Sequence, residues 1–189
     1  MTNHVKSIIT SVNFHLRNIY RIRRFITSDS CQHLTRSLIL SRLDYANSLL
    51  YGITAKDRNK LQTLQNRAAR IVFRLGRRQS SAPLLRKLHW LPLESRIIFK
   101  LMLLTFKSIR GLIPGYLSEF LPRYKSDRPN LRSGEDNTLL AIPRTKKHHG
   151  DIGFTSAAPN LWNSLPINIR MSSSVAIFKK SLKTYLFPK

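Results

Sequence analysis

The acidic side chains are few and scattered: Asp29, Asp44, Asp57, Glu94, Glu119, Asp127, Glu135, Asp136 and Asp151. Metal-assisted phosphoryl transfer needs several acids converging on one site. Only Glu135 and Asp136 are adjacent, and they sit in the polar, turn-rich stretch SDRPNLRSGEDN, which reads as a surface loop. Asp44, in SRLDYANSLLYG, reads either as a buried acid or as a partner for Arg42 or for an arginine on a neighbouring helix, and the pairing is favoured. His148, His149 and Asp151 are close in sequence, but the two histidines cannot share one helix face and a lysine pair precedes them, so an exposed turn is expected rather than a metal site. Cys31 is the single cysteine, which excludes a disulfide within the chain and a cysteine-built zinc site; it reads as a small residue near a helix start rather than a nucleophile. No glycine-rich phosphate loop or serine-centred nucleophile elbow is present. The expectation is therefore no catalytic residue, no metal and no cofactor.

The basic side chains behave differently. Thirty-three Lys and Arg against nine Asp and Glu give a formal charge of +24 over 189 residues. Self-repulsion at that charge destabilises a compact state unless a polyanion neutralises it. Between Lys56 and Arg78 the bases Lys56, Lys60, Arg67, Arg70, Arg74, Arg77 and Arg78 form an arc beside an apolar stripe. A solvated helix face usually mixes both signs so that neighbouring turns pair; here Asp57 is the lone acid, which favours phosphate contact. A second basic stripe, Arg96, Lys100, Lys107 and Arg110, crosses an otherwise apolar helix, and the turn RTKKHHG adds Arg144, Lys146 and Lys147. Nucleic acid is the expected partner and a membrane is not: the apolar run Leu101–Phe106 is bounded by Lys100 and Lys107, far short of the roughly 20 residues a span requires. The N-terminal stretch lacks a signal-peptide core, and an intracellular location, nucleus or cytoplasm, is expected.

Helices must position these groups. Val5, Ile8, Ile9, Val12, Leu16, Ile19 and Ile22 recur at helical spacing, with Arg17, Arg21 and Arg24 on another face. TSDS at 27–30 is a break with capping residues, and a second helix is predicted over about 31–51, stopped by Gly52. Thr54-Ala-Lys-Asp57 resembles a capping box opening a third helix that runs to Gly76. A short helix over 83–88 leads to Trp90-Leu91-Pro92, a sharp joint, and to a helix closed by Gly111. Beyond Pro114 a short helix ends at Pro122; TLLAIPR and GDIGFT are predicted as two strands of a hairpin; SAAPNLWNSLP forms a helical turn anchored by Trp162; and an amphipathic helix covers 173–187. The predicted fold is mainly α: a helical bundle over 1–111 and a smaller lobe over 112–189 with a short β-hairpin and a final amphipathic helix.

Five phrases, HLRNIYRIRRFIT, SRLDYANSLLYG, LQTLQNRAARIV, LHWLPLESRIIFKLMLLTFKSIRGLIPGYLSEFL and AAPNLWNSLPINIR…SVAIFKKSLKTYLF, stand in an order that resembles the C-terminal region of LINE-type non-LTR retrotransposon reverse transcriptases, in the Jockey-like and chicken-repeat-like group. The resemblance covers nearly the whole chain. It implies a thumb-like helical segment with a C-terminal extension, downstream of the polymerase palm. The family's aromatic-Ala-Asp-Asp turn has no counterpart, since no Asp-Asp pair occurs, and RPN at 128–130 lacks the acid of a restriction-type nuclease motif. The implied role is a non-catalytic fragment of a longer frame that grips RNA or an RNA–DNA hybrid by its backbone. The alternatives are an interaction module, contacting a palm or self-associating, and a relic without a selected role.

Overall fold

The structure, a computed structural model, describes residues 2–76, 78–124 and 138–187. The described residues are mainly helical and divide into two units, 1–97 and 98–189. The division falls inside a helix.

In the first unit, helix α1 (Thr2–Ile22) buries Val5, Ile8, Val12, Leu16 and Ile19 of the predicted stripe and half-buries Ile9, while Ile22 is exposed where the helix gives way to a 3₁₀ turn at Arg23–Phe25. The Thr27 hydroxyl caps α2 (Ser28–Thr35) by accepting from the Ser30 N–H at 3.1 Å. The single helix expected over 31–51 is broken. A π-turn (Arg36–Leu40) leads into α3 (Ser41–Asp44); Tyr45 then turns extended, Ala46 adopts φ 50°, and a 3₁₀ turn covers Asn47–Leu50. The break falls where Tyr45 and Ala46 leave helical backbone geometry, and the Asn47 amide donates to Asp44 Oδ1 across it at 3.3 Å.

Thr54 opens α4 (Ala55–Val72) as predicted, its hydroxyl accepting from the Asp57 N–H. The helix stops four residues before Gly76. Arg74 takes the left-handed conformation at φ 55°, its N–H donating to Ile71 O and the Leu75 N–H to Arg70 O. This cap normally recruits glycine. The same pattern closes α5 (Ala82–Lys87), with His89 at φ 54°, and α6 (Leu93–Ile109), where Gly111 fills the left-handed position as expected. Leu61, Leu64, Ala68 and Val72 of α4 join Leu85, Trp90, Leu93 and Ile97 in the first unit's core. No helix among the described residues is long and apolar enough to cross a membrane.

The second unit holds the rest of α6, then α7 (Gly115–Glu119), α8 (His148–Asp151), α9 (Phe154–Asn163), α10 (Ile167–Arg170) and α11 (Val175–Leu186). Its centre is an aromatic cluster: Phe106 and Phe178 stack at 4.2 Å between centroids, with Trp162 tilted against both. The predicted hairpin is not formed. Gly150 and Asp151 end α8 and Phe154 and Thr155 open α9 instead, with a turn between them, and Leu140 makes one antiparallel bridge, with Arg123. The reason is a competing partner. The Asn163 side chain donates to Leu140 O at 2.8 Å and accepts from its N–H at 3.0 Å, consuming both backbone groups a hairpin strand would need.

Candidate nucleic-acid interface

Helices α1 and α4 lie side by side in the same direction, as the links Arg67–Asn13 and Arg23–Ile71 require. A groove of about 880 Å³ runs between them. Its apolar lining is Leu16, Ile71 and Leu75; Arg17, Arg67 and Arg70 supply its charge. Tyr20 lies on its edge, 70% exposed. Among the described residues no acid lines it. Residues 13, 17 and 20 of α1 and 63, 67 and 70 of α4 follow helical spacing, so each helix turns one polar face to the groove.

The arginines are partly preset. Arg67 Nη1 donates to Asn13 Oδ1 at 2.8 Å and Arg70 Nε to Gln79 O at 3.0 Å, which orients both forks and leaves most of their N–H donors for a ligand. Arg17 is exposed and makes no hydrogen bond or ion pair among the described residues.

The other expected binding residues divide into accessible and committed. Lys56, Arg78, Lys100, Arg144, Lys146 and Lys147 are exposed, and Lys107 is half-buried. Lys60 sits 3.1 Å from Asp57 Oδ1. Arg74 lies beyond the helix, its Nη2 donating to the carbonyls of Arg23 and Ile26, so its role is in part structural. Arg77 lies outside the described residues, as do Asp127, Glu135 and Asp136. The stripe on α6 is not uniformly available: Arg96 forms a two-pronged pair with Asp44, and Arg110 donates to Ser172 O at 2.7 Å while stacking over Phe106. The Asp44 pairing is the neighbouring-helix option read from the sequence; Arg42 instead donates to Ser11 Oγ and Leu38 O.

Arg23 is the basic residue whose role the sequence concealed. It is 5% exposed and has no carboxylate partner among the described residues. Its guanidinium donates to Ile71 O, Val72 O, Ile26 O and Ser28 Oγ at 2.7–2.9 Å, capping the C-terminal end of α4. A cation there opposes the negative end of the helix dipole. Cys31 is fully buried, and burial, the leading effect, pushes its thiol pKa up, so the thiolate that reacts is suppressed. Asp151 accepts from the Thr145 hydroxyl.

Comparison with models of protein families, with curated proteins and with solved structures finds no match to this chain.

Proposed function

We propose that the chain is a non-catalytic, thumb-like segment of a LINE-type reverse transcriptase that holds nucleic acid by its phosphate backbone. The observation that carries the backbone grip is the groove between α1 and α4, where three arginines from two helices converge without an acid. An acid-free basic surface of this kind contributes affinity through counterion release and little sequence information. The ordered sequence phrases and the helical first unit support the assignment to a polymerase thumb.

The test is a salt series of binding titrations with an RNA–DNA hybrid, duplex DNA and single-stranded RNA. The wild-type chain is expected to bind with a steep negative log–log slope. The triple variant Arg17→Glu, Arg67→Glu, Arg70→Glu should bind more than about tenfold more weakly at ~0.1 M salt, and its slope should flatten by roughly 0.7–0.9 for each phosphate that is no longer neutralised. Arg74 is left intact because its bonds to two carbonyls would confound the result. Unchanged affinity with an unchanged circular dichroism spectrum would overturn the proposal.

A further inference from the structure

The groove has more than a charged rim. Its apolar lining, Leu16, Ile71 and Leu75, lies beside Arg17, Arg67 and Arg70, with the Tyr20 ring at the edge. A surface that only tracks phosphates has no use for an apolar recess or an exposed aromatic ring. Its volume of about 880 Å³ lies within the roughly 300–1,000 Å³ of small-molecule sites in general. Packed helices are about 8–10 Å apart, so the crease between them is too narrow to admit a double helix. An unpaired base fits: its faces are apolar, its edges are polar, and every base offers a face for stacking on an aromatic ring. Thr63 and Asn13 stand along the same groove as hydrogen-bonding groups for a base edge.

We infer that the α1–α4 groove takes single-stranded nucleic acid, with an unpaired base against Tyr20 and the adjoining phosphates on Arg17, Arg67 and Arg70. This rests on the backbone-grip reading and adds to it the strandedness of the ligand. Tyr20 is suited to the role because it is 70% exposed and its hydroxyl has no partner among the described residues, so the fold does not depend on it.

The experiment titrates the full chain against three labelled probes of equal length: a single-stranded RNA, an abasic strand with the same phosphates, and a blunt RNA–DNA hybrid. The single strand is expected to bind about tenfold more tightly than the abasic strand. Tyr20→Ala should erase that preference while leaving the abasic and hybrid affinities unchanged, and Tyr20→Phe should retain it. Equal binding of base-bearing and abasic strands overturns this inference and leaves the backbone grip standing. So does a preference for the hybrid, or a preference that survives Tyr20→Ala. Absence of salt-dependent binding to all three probes removes both proposals.

Discussion

Each unit buries a guanidinium, and the two are used differently. In the first, Arg23 spans elements far apart in sequence, tying the end of α1 to the last carbonyls of α4. Around it the core is chiefly aliphatic, built from Val, Ile, Leu and Ala on helices. Aliphatic stripes pack well in several registers, so directional bonds are needed to fix one of them. Arg23, the Asp44–Arg96 pair and the bond from Gln65 Nε2 to Leu91 O at 2.8 Å supply those bonds. In the second unit the stacked rings of Phe106 and Phe178, with Trp162 tilted against them, already favour particular geometries. Polar side chains there hold an irregular segment instead: Arg170 Nη1 donates to Thr138 Oγ1, Trp162 Nε1 to Thr138 O, and Asn163 clamps Leu140. Polar groups thus set helix register in one unit and substitute for a strand partner in the other.

The largest test of that contrast is Arg23→Ala. It strips donors from the last two carbonyls of α4 and from Ile26 O, and is expected to lower stability by about 2–3 kcal/mol, read by urea unfolding. Arg23→Lys, with a single compact charge and no planar fork, should recover only part of the loss. A loss below about 0.5 kcal/mol would mean water replaces the guanidinium and the register argument fails. A smaller test compares the tryptophans. Both are buried, but Trp162 Nε1 is bonded to Thr138 O, whereas Trp90 Nε1 has no partner among the described residues. Replacing each by Phe removes a similar volume, so Trp162→Phe should cost about 1 kcal/mol more than Trp90→Phe. Equal costs would show that the Thr138 bond does not stabilise the second unit.

The helices are legible in the sequence because their signals are local. The α1 stripe, the Thr27 and Thr54 caps, the Gly111 stop and the Val175–Leu186 helix each follow from residues within a few positions of one another. The misses have two kinds of cause, one local and one distant. Arg74 and His89 occupy left-handed caps that sequence preference assigns to glycine, so that preference carries α4 too far, to Gly76. The hairpin over 138–155 is displaced by Asn163, more than twenty residues away from Leu140. For the interface, Arg67 and Arg70 can be read from the missing acids around them, and the groove joins them. Arg17 is visible on its own face, but its convergence with α4 depends on how the two helices pair. Tyr20 gives no signal of its own, since an exposed tyrosine on a helix has no distinguishing spacing.

The smallest expected effect concerns His15, on α1, where the first unit's aliphatic packing meets the Arg42 side chain that reaches Ser11. Burial, and then the nearby Arg42 charge, lower its pKa below the ordinary histidine value of 6.5. The unfolded chain therefore takes up the proton first, and protonation favours unfolding. The contribution is neutral above pH 6.5, and stability falls as pH drops through that value toward the lower folded pKa. The urea midpoint should accordingly decline across this window, before the carboxylates titrate near pH ~4. His15→Gln keeps a polar side chain of similar reach without a titrating group, and it should flatten the profile in that window. A decline that persists in His15→Gln would assign the pH sensitivity to another group and detach it from the α1 face.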